Sequence, residues 1–227
     1  MNDQKEAIEI IMMGRSYVYQ LFHNIFGNEP NKEQLALISN DDTMDVLEVF
    51  HMGEDSFIAR WQTFMKELHN HQDMDSWIDQ LKGEYTRLFI GPAKLPAPPW
   101  ESVYVGKERL LFQESTLKVR NWYRKYHVLP SDYPHVADDH LALEMDFMGR
   151  LCDLCLKAVE SSERDKIQSI LSDQKEFLTQ HLLKWIPKFR EQIMASETKL
   201  MYPAIAEYLE LFLKLDLELI DELMENI

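Results

Sequence analysis

Residues 138–144 hold the densest set of side chains that could do chemistry. Asp138 and Asp139 precede His140, and Glu144 follows His140 by four positions, so His140 and Glu144 would share one face of a helix. Carboxylates and an imidazole at this spacing could hold a metal ion or exchange protons with a substrate. Carboxylates at a helix start also commonly compensate the helix dipole. Spacing alone favours this structural interpretation, and a metal-dependent enzyme built on these four residues is the alternative.

The cysteines at 152 and 155 form a Cys-x-x-Cys pair. A redox-active pair needs a thiol that is exposed near the N-terminus of a helix. Cys152 and Cys155 instead fall in the middle of a predicted helix, on its apolar side, and no second pair is present to complete a zinc site. We therefore predict two structural thiols.

Sequence motifs for nucleotide binding and for acyl transfer are missing. There is no Gly-rich loop ending in Gly-Lys-Ser or Gly-Lys-Thr, no Gly-x-Gly-x-x-Gly after a strand, and no Gly-x-Ser-x-Gly. We therefore predict no catalytic residue, no metal ligand and no bound cofactor.

Long helices are the predicted elements that would position these residues. The chain has 227 residues with seven glycines and nine prolines, so it contains few residues that break helices. From Ile8 to Phe26, residues of one stripe recur at alternating spacings of four and three, which is the period of a helix face. The same spacing predicts helices from about Asp138 to Val159, from Arg164 to Trp185 and from Lys199 to Glu225. No segment shows convincing strand alternation, so we predict an all-α fold.

Arg15 lies within the apolar stripe of the first predicted helix. Its aliphatic stem could pack on the core while the guanidinium reaches water. A guanidinium inside the core would instead need a carboxylate partner from another helix. We favour the buried pair.

A Pro-rich hinge divides the sequence. Four prolines between Gly91 and Trp100 exclude a regular helix there. We predict one helical domain with halves of about 1–92 and 106–227, joined by a hinge at 92–105.

Two further loop predictions concern the C-terminal half. The helix is predicted to resume near Lys107, and Pro130 and Pro134 bracket a second loop. Because a strained hinge invites the exchange of halves between chains, either a monomer or a domain-swapped homodimer is expected.

The net charge of the chain limits the classes of partner that we expect it to bind. There are 24 Lys and Arg residues against 39 Asp and Glu residues, a formal net charge of −15. This balance argues against nucleic acid and against anionic membranes, and it favours encounters with a cationic partner, although plain solubility explains it equally well. No apolar run approaches the roughly 18 residues that span a bilayer, and the acidic N-terminus does not resemble a signal peptide. We expect a cytoplasmic protein with no stable membrane insertion.

Three segments resemble a known family. The stretch Glu84–Gly91, with Tyr85 before Leu88-Phe89, is similar to the first signature of the TorD/DmsD family, in which some members carry Trp at the position of Tyr85. Residues 98–104 resemble its Pro-Trp-Glu-Ser loop, and residues 138–148 resemble its Asp-Asp-His helix start. Weaker similarities cover residues 19–30 and 181–189.

The resemblance implies an all-helical fold of about ten helices and a chaperone without catalytic activity. Members of this family bind the twin-arginine signal peptide of a DMSO-reductase-type molybdoenzyme. They also hold the body of that enzyme until its molybdopterin cofactor is inserted, before export. A chaperone for a reductase that is not exported is the related alternative.

The resemblance also selects residues for the signal peptide. An apolar groove would use Tyr85, Leu88 and Phe89, with a place in the core as the alternative, to which Leu88 is equally suited. Pro99 would fix Trp100 as a contact residue, with a plug between the two halves as the alternative. The acids that would face the two arginines are Glu101, Asp138 and Asp139. His140, beside Asp139, could respond to protonation near neutral pH. We predict that the Pro-rich loop and the Asp138 helix start form one site, made of Tyr85, Leu88, Phe89, Pro99, Trp100, Glu101, Asp138, Asp139 and His140.

Overall fold

The computed structural model describes residues 2–50, 55–71, 73–106, 110–129 and 136–226, and in these ranges it is helical without a strand. This confirms the all-α prediction of about ten helices. The predicted helix start at Lys107 and the loop between Pro130 and Pro134 lie outside the described residues. The helices are α1 Asn2–Gly27, α2 Lys32–Ile38, α3 Asp41–Val49, α4 Asp55–Asn70, α5 Met74–Tyr85, α6 Glu101–Val105, α7 Glu114–Lys125, α8 Leu141–Glu160, α9 Arg164–Phe177, α10 Leu183–Ala195 and α11 Tyr202–Asn226, with π-helical turns at Thr86–Ile90 and Leu178–Leu182.

Helix α1 packs antiparallel to α8 along most of its length. Lys5 donates to the carbonyl of Glu160 at the end of α8, with 2.9 Å between Nζ and O. Near the other end of α1, the Nδ1 atom of His23 lies 2.8 Å from the carbonyl oxygen of Ala142, at the start of α8. The two halves of the chain share one hydrophobic core, whose buried residues come from before and after the Pro-rich hinge.

The side chain of Arg15, on α1, is fully buried where α1 meets α11, as the sequence predicted. Its Nη2 atom donates to Asp216 Oδ2 at 3.0 Å and to Gln174 Oε1 at 2.8 Å. The hydroxyl of Tyr19 donates to the same Asp216 oxygen at 2.6 Å. Both charges are thus enclosed and hydrogen-bonded, as a buried ion pair requires.

Helix α8 begins later than the sequence predicted. Asp138 and Asp139 lie in a turn, and His140 caps the helix by accepting the amide hydrogen of Ala142 on Nδ1 at 3.1 Å. Because the side chain of Asp139 is bonded to another segment, the aspartate does not cap the helix. The prediction of a helix from Asp138 is therefore wrong by three residues.

The other helix ends also differ from the prediction. The predicted hinge 92–105 contains helix α6 at its end, after the last of the prolines. The predicted helix end at Trp185 is wrong, because α10 continues through Pro187 to Ala195. The π-helical turn Leu178–Leu182 precedes this proline. The backbone hydrogen bonds therefore already depart from the α-helical pattern before the proline is reached. Within the described ranges, no helix has the length and apolarity needed to cross a bilayer.

Candidate functional site

The Pro-rich loop and the turn before α8 lie against each other, as the family resemblance led us to expect. The amide of Leu141 donates to the carbonyl of Pro99 at 2.9 Å, and the amide of Glu101 donates to the carbonyl of Asp139 at 3.0 Å. Asp139 Oδ2 accepts the amide hydrogen of Ser102 at 2.7 Å. We call residues 99–102 and 138–141 the loop–turn junction.

Trp100 is half-buried in this junction, with its ring packed edge-on against His140. The ring centroids are 5.2 Å apart. Burial, followed by the charge of His23, lowers the pKa of His140 to about 4. His140 is therefore neutral near pH 7, and the prediction that it responds to protonation near neutral pH is wrong.

Three buried carboxyl groups converge behind the junction. We call Glu101, Asp139 and Glu144 the buried acid cluster. Glu101 Oε2 lies 2.8 Å from Nδ1 of His181, and Glu144 Oε2 accepts the indole hydrogen of Trp185 at 3.1 Å. Burial, and then the charges of Glu101 and Asp139, raise the pKa of Glu144 well above its ordinary value. The cluster thus favours the protonated form of Glu144.

Sequence reasoning did not select His181 as a site residue. The weak family similarity at residues 181–189 begins with this histidine, so a signal was present. Its side chain is buried and its only near carboxylate among the described contacts is Glu101, 80 positions earlier in the chain. Helical periodicity could not have predicted a contact over that separation.

Asp138 is held by α7 rather than directed at solvent. Arg120 donates to Asp138 Oδ2 from both Nε, at 2.9 Å, and Nη2, at 2.6 Å. The hydroxyl of Tyr123 donates to the Asp138 carbonyl at 2.8 Å. An incoming guanidinium would have to displace Arg120 to reach this carboxylate.

Tyr85, Leu88 and Phe89 are buried in the aromatic core. The hydroxyl of Tyr85 donates to the carbonyl of Phe26 at 3.1 Å, and the ring of Phe89 packs against that of Tyr202. In this conformation they leave no surface for a peptide, so their predicted place in an open groove is not where the structure puts them. Pro99 is buried as well, and Trp100 and His140 retain partial exposure.

Two clefts flank the short helix α6. The first, which we call the polar cleft, has a volume of about 610 Å³, and its titratable lining residues are Glu101, Glu114, Lys118, His181 and Lys184. The second is largely apolar and has a volume of about 490 Å³. Its lining consists of Lys94, Leu95, Pro96, Pro98, Trp100, Val103, Leu111 and Gln192.

Three residues of the alternative metal site are each bound to a different partner. Asp138 bonds to Arg120, Asp139 to the Ser102 amide, and Glu144 to Trp185. In the part of the chain that the structure describes, no group of three His, Cys, Asp or Glu side chains has a geometry that could hold a metal ion. The geometry therefore gives the metal-dependent alternative no support.

Both cysteines lie inside the core, as predicted for structural thiols. Burial raises the pKa of the Cys152 thiol to about 12 and that of Cys155 to about 11. A thiol of this kind stays protonated at neutral pH and is a poor nucleophile.

Comparisons with known proteins found a matching family model and several similar proteins. The family model described as nitrate reductase delta subunit matches residues 54–191. A chaperone protein TorD from Aliivibrio salmonicida is 25% identical over 206 residues, which cover 90% of this chain and 93% of that protein. A chaperone protein TorD from Vibrio cholerae is 24% identical over 97% of this chain and 98% of its own. A crystal structure of a candidate redox enzyme maturation protein from Archaeoglobus fulgidus is similar with a TM-score of 0.49 and 21% identity, covering 88% of this chain and 93% of that one.

Proposed function

Because the chain belongs to the nitrate reductase delta subunit family, we propose that it is an assembly chaperone for a molybdenum-containing redox enzyme and that it binds the twin-arginine signal peptide of that client. The relatives that match nearly its whole length are named chaperones, which confirms the prediction that it is not an enzyme. The proposed partners are the signal peptide and the body of the reductase, and the proposed compartment is the cytoplasm.

The observation that carries the signal-peptide proposal is the pair of clefts on either side of α6. A twin-arginine peptide has a basic start followed by an apolar stretch. The polar cleft offers the exposed Glu114 for a guanidinium group, and the apolar cleft offers Leu95, Trp100 and Leu111 for the apolar stretch. Glu101 also lines the polar cleft, but it is buried and paired with His181, so a second guanidinium would have to displace that histidine. The loop–turn junction fixes α6 between the clefts, so both parts of one peptide can be bound within a few residues.

Arginine suits the polar cleft better than lysine does. Glu114 already pairs with Lys118, whose Nζ lies 2.8 Å from Oε1, and both side chains are largely exposed. An exposed lysine pair of this kind contributes little stability and is easily displaced. A guanidinium can replace it with two parallel hydrogen bonds to the carboxylate, which an ammonium cannot make. The proposed site therefore discriminates between twin arginine and twin lysine.

Calorimetry with a twin-arginine peptide and a twin-lysine peptide of otherwise identical sequence tests this function. We expect the arginine peptide to bind at least about tenfold more tightly, since loss of paired charge-assisted hydrogen bonds costs about 1.5–3 kcal/mol. Equal, weak heats for both peptides would contradict the signal-peptide proposal. That result would instead favour the alternative function, in which the protein is a chaperone for a reductase that is not exported.

Replacing Trp100 by alanine is expected to weaken binding of the twin-arginine peptide by about 2 kcal/mol, because it removes the central wall of the apolar cleft. Tyr126→Ala is the control, since Tyr126 is also a half-buried aromatic residue and lines neither cleft. Circular dichroism should show that both variants are folded. If Tyr126→Ala loses as much affinity as Trp100→Ala, the peptide is bound elsewhere.

A further inference from the structure

A second apolar surface lies between α1, α3 and α11. It is an open groove of about 560 Å³, which we call the α1–α3–α11 groove. Three of its side chains are strongly exposed: Ile10 at 59%, Met13 at 51% and Val49 at 72%. The full lining is Ile10, Ile11, Met13, Gly14, Tyr17, Val46, Val49, Phe50, Leu215 and Leu219.

Helix α1 therefore carries two apolar lines. The buried line contains Met12, Tyr19 and Phe22 and faces the core. The second line runs from Ile10 through Met13 to Tyr17 at spacings of three and four, so it forms one face of the helix and borders the groove. Packing of α1 on α8 and α11 buries the first line. In the second line Tyr17 is hydrogen-bonded to Thr43 of α3, and Ile10 and Met13 remain exposed.

The groove is separate from the proposed signal-peptide site. His23 of α1 contacts the start of α8 at the loop–turn junction. The groove residues Ile10 to Tyr17 lie between six and thirteen positions earlier, which at about 1.5 Å per residue places them roughly 9–20 Å away along the helix. Among the described residues, the groove has no lining residue in common with either cleft beside α6.

Exposed acids continue the apolar lines on all three helices. Glu6 lies four positions before Ile10 on α1, and Asp42 lies four positions before Val46 on α3. Glu222 follows Leu219 by three positions on α11. Because residues three or four apart share a helix face, these carboxylates stand at the ends of the groove.

The lysine and arginine residues of the same helices are engaged elsewhere. Lys5 donates to the Glu160 carbonyl, and Arg15 is buried against Asp216. Lys214 pairs with Glu210, with 2.6 Å between Nζ and Oε1. Helix α3 contains no basic residue. The rim of the groove is therefore negative.

The geometry points to a docking site for an amphipathic helix of a partner protein, with an apolar face and basic residues at its ends. The groove runs for about 10 Å along α1, which matches two turns of a helix with apolar residues at positions i, i+3 or i+4, and i+7. Basic ends would meet the carboxylates at Glu6, Asp42 and Glu222. This second site goes beyond the proposed signal-peptide function and does not depend on it.

The acidic rim argues against two other occupants. In a symmetric dimer the same patch meets itself, so Glu6, Asp42 and Glu222 of one copy would approach the same acids of the other. An anionic lipid surface would be repelled by the same carboxylates. A cationic protein segment satisfies both the apolar floor and the negative ends.

Fluorescence anisotropy with a labelled synthetic peptide tests the site. The probe is two heptads long, with leucine on one helical face and lysine at both ends. Met13→Asp and Val49→Asp should each weaken its binding at least about tenfold, because a charge on the apolar floor must be desolvated. Leu129→Asp is the matched control, since Leu129 is 71% exposed and outside the groove. It should bind as the unchanged protein does.

Three outcomes would overturn the proposal. The first is equal binding by the groove variants and the unchanged protein. The second is equal binding of a probe whose terminal lysines are replaced by glutamates, since the acidic rim would then have no role. The third is a dimer in analytical ultracentrifugation that Val49→Asp dissociates, which would identify a second copy as the occupant. Failure of twin-arginine peptide binding would leave this test unaffected.

Discussion

Arg15→Met is expected to lower the free energy of unfolding by about 3–5 kcal/mol, because it leaves the carboxylate of Asp216 buried without its cation. Both side chains of this pair are fully enclosed. Gln174 and Tyr19 also point hydrogen-bond donors or acceptors into the same space, so the loss extends to their contacts. Urea denaturation followed by circular dichroism measures the change directly.

The double variant Arg15→Met/Asp216→Leu separates the cost of an unpaired charge from that of lost packing. If the charge is responsible, the double variant recovers much of the stability, since replacing a whole buried pair with apolar groups is often neutral. A double variant less stable than Arg15→Met alone would contradict this account. So would a single variant that loses less than about 1 kcal/mol.

Glu144→Gln is expected to stabilise the protein at neutral pH. Burial and the charges of Glu101 and Asp139 raise the pKa of Glu144 in the folded state above its ordinary value of 4.5. Above pH 4.5 the unfolded chain releases this proton while the folded protein retains it, so the folded state binds more protons and stability falls as pH rises. Each unit of pKa elevation contributes about 1.36 kcal/mol to that loss. Glutamine removes the titration and can still accept from the indole of Trp185.

The measurement is urea unfolding of both proteins from pH 4 to pH 8. Near pH 4 the two stabilities should be similar, and the variant should gain steadily as pH rises above 4.5. Glu114→Gln is the exposed control and should show no such gain, since its pair with Lys118 lowers the pKa of Glu114 instead. A gain for Glu144→Gln that is the same at every pH would contradict the titration argument.

Periodicity predicted the helices and the burial of Arg15 in the core, because both follow from which residues share a helix face. The need of a buried cation for a carboxylate predicted a partner on another helix, but not that the partner is Asp216. It could not decide what that face touches. The family signature places Tyr85, Leu88 and Phe89 in a groove, yet all three are buried in the core, where the rings of Tyr85 and Phe89 pack against that of Tyr202. A helix face that contacts a core and one that lines a groove have the same spacing.

The contact between the Pro-rich loop and the turn before α8 came from the resemblance and not from local pattern. Glu101 and Asp139 are 38 positions apart, and nothing in either segment alone encodes their hydrogen bond. The same limit applies to His181. Periodicity alone does not single out the line Ile10–Met13–Tyr17, because the neighbouring line of α1 already accounts for the apolar content of the helix. A helix with apolar residues on two faces offers two surfaces, and only the fold shows which one remains open.

The pairing of Arg15 with Asp216 also constrains the order in which parts of the protein can fold during synthesis. The two residues are 201 positions apart, so at about 5–20 residues per second a ribosome needs roughly 10–40 s between them. During that interval the first helix has emerged with a cation whose partner does not yet exist, so α1 cannot be stably enclosed. The core therefore closes only when α11 has been made, and a nascent chain stalled before Asp216 would display the inner face of α1 to quality-control factors.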